Sequence, residues 1–114
     1  MLAIVNLQLP SLQINLWFSV FSNIEFAKEL EKMLKDSKNK DFQDQIYFAL
    51  GNMSMKEGNE TEALEFFRKS ATATSQNQNQ KGRSYLALAG YYYKKPDYMK
   101  AGKYYDSTVF FLDQ

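Results

Sequence analysis

The chain reads as an all-α protein built from repeated helix pairs. Two observations carry that reading: a self-similarity at one fixed offset, and apolar residues at helical spacing inside each repeated unit. Shifting the sequence by 38 residues superposes Tyr47 on Tyr85, Leu50 on Leu88, Gly51 on Ala89, Asn59 on Asp97 and Ala63 on Ala101. Phe66 and Phe67 then fall on Tyr104 and Tyr105, and Ser70 on Thr108. Each pair keeps size or polarity, which chance does not supply at a single offset.

Within the first unit, Tyr47, Leu50 and Gly51 stand at i, i+3 and i+4, on one face of a helix. Ala63, Phe67 and Ser70 do the same on a second. The small residues Gly51 and Ala63 predict a close approach of two helix backbones. Gly58 suits the left-handed position that ends a helix. Asn59 then reads as an N-cap, completed three residues on by Glu62. In the second unit Pro96 provides the stop and Asp97 the cap.

The expected organisation is a lone helix over residues 24–36, a pair over 41–75 and a pair over 80–112, about five helices in all. Ile24, Ala27, Leu30, Met33 and Leu34 form the apolar face of the lone helix. Ser37 to Lys40 is a turn. The pairs are expected at about Asp41–Glu57 with Glu60–Ser75, and Gln80–Lys94 with Tyr98–Leu112. The run from Gln76 to Gln80 reads as a loop and helix start, since five residues match an ordinary connection better than a low-complexity tract.

Residues 1–23 are expected to form an ill-defined apolar leader, the edge of a larger protein. Leu12, Ile14, Leu16, Phe18 and Val20 alternate with more polar positions, a strand-like period with nothing obvious to pair with. Asn6, Gln8 and Pro10 interrupt the apolar run, and the first basic residue is Lys28. That pattern disfavours both a signal peptide and a spanning helix.

Composition bounds function. The 114 residues carry 14 Lys+Arg against 13 Asp+Glu, a net charge of +1, which gives no electrostatic footprint for nucleic acid or an anionic membrane. With 45% hydrophobic residues, 8 Tyr and 9 Phe, the chain has ample material for one core. It contains no Cys and no His, which excludes disulfides, thiolate zinc sites and histidine catalysis. No Gly-rich phosphate loop is present. The expectation is therefore a non-enzyme with no catalytic residues, no metal and no cofactor.

Two local features invite sharper readings. Tyr91-Tyr92-Tyr93 suggests a stacking platform, but three consecutive helical residues point three ways, and packing is the favoured reading, with Tyr92 between helices. Glu57, Glu60, Glu62 and Glu65 suggest paired carboxylates. Their place at a helix start favours a solvated face aligned with the helix dipole.

The repeated pattern resembles the tetratricopeptide repeat, whose signature is W-x₂-L-G-x₂-Y, then A-x₃-F, over about 34 residues. The first unit offers Tyr47-x₂-Leu50-Gly51 and Ala63-x₃-Phe67. The second offers Tyr85-x₂-Leu88-Ala89-x₂-Tyr92 and Ala101-x₃-Tyr105. Ser54 departs from the expected aromatic, Ser75 stands where a late Pro would fall, and the longer period fits the Gln/Asn loop. The resemblance implies antiparallel pairs stacked in a short right-handed superhelix, with the first helix of each pair lining a concave groove. Gln45, Phe48, Asn52, Met55 and Lys56 would line it in unit one. Arg83, Leu86, Gly90, Tyr93 and Lys94 would line it in unit two. Phe48, Met55, Leu86 and Tyr93 would act as apolar anchors for a peptide or protein, with Asn52, Arg83 and Lys94 reading polar groups. Of the Lys/Asn/Arg set that clamps a C-terminal carboxylate in some members, only Asn52 and Arg83 fit.

A narrower resemblance rests on Glu29 to Asp36, Asn39 to Phe42, Asp44 to Tyr47, Gln80 to Ala89 and Pro96-Asp97-Tyr98. These stretches look like the repeat region of gliding-motility lipoproteins of the PorW/SprE type, from the type IX secretion system of Bacteroidota. That implies a periplasmic scaffold associated with the outer membrane, binding other secretion components and touching the membrane only through a larger assembly. Its lipid anchor, an N-terminal Cys, has no counterpart here. The rival reading is a glycan-binding protein of outer-membrane nutrient uptake, which carries similar repeats. Exposed apolar ends also predict self-association through a terminal face, or a leader folded back over an open end.

Overall fold

The computed structural model describes the backbone of residues 11–73 and 76–112, and side chains from residue 23 onward within those ranges. Five α-helices account for most of it: α1 (Ser11–Lys35), α2 (Gln43–Lys56), α3 (Glu60–Thr72), α4 (Gln78–Lys94) and α5 (Tyr98–Leu112). A 3₁₀ segment, Ser37–Phe42, joins α1 to α2. There is no strand among the described residues.

Helices α2 and α3 form one hairpin and α4 and α5 another, each held by extensive packing along its length. Helix α3 packs on α4 and joins the two hairpins, while α1 touches only the start of the array through α2. The punctuation follows the sequence. Gly58 takes φ +82° and ends α2. Asp97 accepts a hydrogen bond from the Lys100 backbone N–H at 3.1 Å and caps α5. Asn77 accepts from the Gln80 N–H at 3.1 Å and starts α4 two residues earlier than expected.

The 38-residue repeat is a repeat of geometry. Asn59 N–H donates to the Ser54 carbonyl at 2.9 Å, and Asp97 N–H donates to the Tyr92 carbonyl at 2.8 Å. Ala63 donates to Asn59 and Ala101 to Asp97, both at 2.9 Å. Tyr47 stacks on Phe66 with ring centroids 6.2 Å apart, and Tyr85 stacks on Tyr104 at 6.1 Å. Both members of each correspondence lie one repeat apart.

The core has two parts. Ala63, Leu64, Phe67 and Leu88 form its centre between the hairpins, with Phe48, Met55, Tyr85, Tyr91, Tyr92 and Tyr104 packed around them. Leu30, Ile46 and Leu50 form a smaller cluster between α1 and α2. A polar bolt crosses the first part. The Ser70 hydroxyl lies 2.6 Å from the Asp44 carbonyl oxygen, to which it donates, and 2.7 Å from Ser84 Oγ. It thus links α3 to both α2 and α4. Asp44 is fully buried; its Oδ1 accepts from the Gln45 N–H, and its Oδ2 meets no protein donor.

Three expectations need correction. The segment read as a leader is helical from Ser11. Trp17 and Phe21 fill gaps in the period-two pattern, and no Gly or Pro falls between Ser11 and Lys35. A helix also closes its own hydrogen bonds, whereas a strand needs a neighbour. Residues 1–10 lie outside the described part. On α1, Leu30 is buried with Ala27 and Leu34 packed beside it, but Ile24 and Met33 are exposed, because α1 meets α2 along one narrow line. Asn59 holds the N-cap position of α3 without a side-chain bond. Its backbone, at φ −86° and ψ 71°, departs from the extended geometry that aims a cap side chain at the first free N–H groups.

Candidate functional site

Helices α2 and α4 lie side by side and touch, so the residues expected to line a groove fall on adjacent elements. The two units present them differently. In α2, Gln45, Asn52 and Lys56 are exposed, whereas Phe48 and Met55 are half-buried against the central core. The Phe48 ring lies 5.6 Å from that of Phe67. These two side chains therefore serve the joint between hairpins and offer only an edge to a ligand. In α4, Arg83, Leu86, Tyr93 and Lys94 are all exposed, Leu86 at 45% and Tyr93 at 56%. The Tyr93 ring meets Tyr98 edge-on at 5.3 Å. Open space surrounds Gly90.

The face is thus polar on α2 and mixed on α4. Gln45, Asn52 and Arg83 offer hydrogen-bonding groups to a peptide backbone or side chain. Leu86 and Tyr93 offer apolar contact. Lys56 and Lys94 close the last turns of their helices, so one end of the face is positive in charge and negative in helix dipole.

Beside this face lies a cluster that the sequence did not reveal. Lys95 Nζ lies 3.0 Å from Glu60 Oε2, and the Tyr91 hydroxyl donates to the same oxygen at 2.9 Å. Lys95 also sits 5.2 Å from the centre of the Tyr91 ring. The hydrogen bond from Lys95, then that from Tyr91, then the Lys95 charge hold the Glu60 carboxyl below its ordinary pKa. Glu60 in turn raises Lys95 and Tyr91, mainly by those hydrogen bonds. A second clasp joins the same helices: Arg68 donates to the Tyr92 hydroxyl at 2.8 Å, and Lys100 lies 4.7 Å from the Tyr92 ring centre. Hydrogen bonding to Tyr104 is the largest influence raising Arg68. Partners so far apart in sequence leave no local pattern to read.

The tyrosine run divides as packing predicts. Tyr91 and Tyr92 are half-buried, their rings edge-on at 5.1 Å, with Tyr92 stacked on Tyr104 at 5.7 Å. Only Tyr93 faces solvent. The four glutamates from Glu57 to Glu65 are all exposed, and Glu65 pairs with Lys69 at 3.4 Å. Gly58 to Glu62 line a surface depression at the start of α3. Among the described residues, no group of three or more acidic side chains is placed to hold a metal ion, and no helix is long and apolar enough to cross a membrane.

No protein-family model, curated protein or solved structure matches this chain.

Proposed function

We propose that the chain is an interaction scaffold that captures a peptide or protein on the face formed by α2 and α4. The observation that carries this reading is the exposure of Arg83, Leu86, Tyr93 and Lys94 along one helix, beside Gln45 and Asn52 on the next. Apolar groups left in water beside unspent donors suit a partner that covers the first and pairs with the second. The chain has neither His nor Cys to support common acid–base or nucleophilic chemistry, and binding is the activity proposed.

Resemblance to tetratricopeptide repeats supports the same surface. Resemblance to gliding-motility lipoproteins supports a place in a type IX secretion assembly, at the periplasmic side of an outer membrane. The test is a pull-down from Bacteroidota envelope extract with the chain and with an Arg83→Glu/Leu86→Glu variant, read by mass spectrometry. A defined protein retained by the first and lost by the folded variant supports the reading. Identical retention by both overturns it.

A second reading is favoured by one observation. Tyr93 and Tyr98 form an exposed aromatic pair, 56% and 62% accessible, of the kind that stacks on sugar rings. A glycan array separates the two: binding that Tyr98→Ala abolishes assigns the chain to glycan uptake instead.

A further inference from the structure

The face formed by α2 and α4 has a sign of charge that the whole chain conceals, since the net charge is only +1. Helix α4 carries Lys81, Arg83 and Lys94 and no carboxylate. The one carboxylate of α2, on Asp44, is fully buried. The exposed Glu60, Glu62 and Glu65 belong to α3 instead. Lys56, Arg83 and Lys94 are exposed, and none makes an ion pair or hydrogen bond with another described residue. By contrast, Lys28, Lys32, Lys69 and Lys95 each meet a glutamate.

The repeat orders these cations along the face. Lys56 and Lys94 are one repeat apart, and each closes its own helix. Arg83 precedes Lys94 on α4 by about 16 Å of helix axis. Glu57 follows Lys56 but is turned about 100° around the axis. Lys95, in the matching place one repeat on, is turned to Glu60, 3.0 Å away. Each helix C-terminus carries about half a negative charge, so two ammonium groups leave that end positive. Between Arg83 and Lys94, Leu86 and Tyr93 stand exposed. Gly90 lies between those two, and a methyl group placed on it would meet no atom within 4 Å. Along α4 the order is cation, apolar floor, cation.

We infer that the segment captured here is acidic: an extended internal stretch of a protein, with an apolar side chain flanked by carboxylates about five residues apart. The inference rests on the reading of this face as a peptide or protein site. Length sets the spacing, since an extended chain advances about 3.3 Å per residue and about five residues cover the distance from Arg83 to Lys94. One carboxylate meets Arg83, and the other meets Lys56 and Lys94. The apolar side chain lies over Gly90, between Leu86 and Tyr93. The attraction is not answered within the chain, because α2 and α4 expose no carboxylate of their own. A basic segment would set like charges together at both ends. No chain terminus is needed, because the cations are spread along the face rather than gathered about one point.

Selection from random peptides of about twelve residues, displayed on phage so that no C-terminal carboxylate is free, tests this on the immobilised full chain. The expected pool is enriched in Asp and Glu about five positions apart, with an apolar residue between them. An amidated synthetic consensus peptide should bind Arg83→Glu and Lys94→Glu at least about tenfold more weakly than the wild type. The Arg83→Glu/Lys94→Glu chain should select Lys and Arg instead. Raising salt from about 0.05 to 0.5 M should weaken the wild-type complex. Selection and salt dependence need no variant, so the inference stays testable if a variant fails to fold, which far-UV circular dichroism would show. A pool enriched in Lys and Arg, a pool no different from its input, or an affinity indifferent to salt and to charge reversal would each overturn it. A pool selected for apolar residues alone would also overturn it, yet would leave the face standing as a capture site. Loss of the face itself is read separately, by the pull-down with Arg83→Glu/Leu86→Glu.

Discussion

The ring of Phe67 lies on the backbone of Gly51, so close that a methyl group there would sit 2.6 Å from Phe67 Cε1. Phe67 is 3% exposed and also packs against Phe48, so it has little room to withdraw. Gly51→Ala should therefore destabilise the fold by about 1–3 kcal/mol. That outcome opposes helix propensity, which favours Ala over Gly in a helix by about 1 kcal/mol. Urea denaturation decides between them. The second hairpin carries Ala89 at the equivalent place, where the counterpart ring, Tyr105, is 37% exposed.

The Ser70 hydroxyl joins three helices through its contacts with Asp44 and Ser84. Ser70→Ala should cost about 1–3 kcal/mol, because it removes two buried hydrogen bonds, to the Asp44 carbonyl and to Ser84 Oγ. Ser84→Ala should cost less, since the bond from Ser70 to the Asp44 carbonyl survives. Equal losses in chemical denaturation would show that the bolt does not centre on Ser70.

Much of this architecture was legible in the sequence, and the reason is local. Gly58, Pro96 and Asp97 set chain direction through their own backbone preferences, and the repeated Tyr, Leu, Ala and Phe positions mark buried faces by periodicity alone. The starts of α3 and α5, and the ends of α4 and α5, fall where those signals put them. The misses involve what lies across a gap. Phe48 and Met55 are groove anchors only by what the tetratricopeptide resemblance implies, and both pack against the core between the hairpins. Asn59 has the chemistry of a cap but not the backbone angles. The bond from Tyr91 to Glu60 spans 31 residues, and no spacing rule reaches that far.

Ala63 and Ala101 occupy matching places where the helices of each hairpin cross, with exposures of 0% and 2%. Replacing either with Leu adds three carbons to a filled space. Each change should cost about 1–3 kcal/mol. A cost near zero for both, measured by thermal melting with a calorimetric check, would mean that the crossings have slack.

Acid should loosen the clasp between α3 and α4. The folded chain holds Glu60 below its ordinary pKa, so the unfolded chain binds more protons at that site. The contribution of the clasp is then present above the unfolded carboxyl pKa and is lost as pH falls through the lowered folded value. Melting temperatures of the wild type and Glu60→Gln should differ at neutral pH and converge in acid. Lys95 gives the mirror case. Its pKa is raised, so its contribution is complete below the unfolded lysine value and is lost as pH rises through the folded one. A gap between the two proteins that persists unchanged into strong acid would place the effect of Glu60 elsewhere.

Two glycines with equally open surroundings should respond to Ala in opposite directions. Neither Gly58 nor Gly90 has an atom within 4 Å of a methyl group placed on it, so sterics with neighbours cannot separate them. Backbone angle does. Gly58 holds φ +82°, where an L side chain collides with its own following carbonyl, and Gly58→Ala should cost about 1–2 kcal/mol. Gly90 lies inside α4 with ordinary helical angles, and Gly90→Ala should gain about 0.4–1 kcal/mol by narrowing the unfolded ensemble. Paired denaturation curves give both signs in one experiment. A loss at Gly90 would mean that the face of α4 needs the bare backbone there, and the groove, where Gly90 sits between Leu86 and Tyr93, would be the place to look for what approaches it.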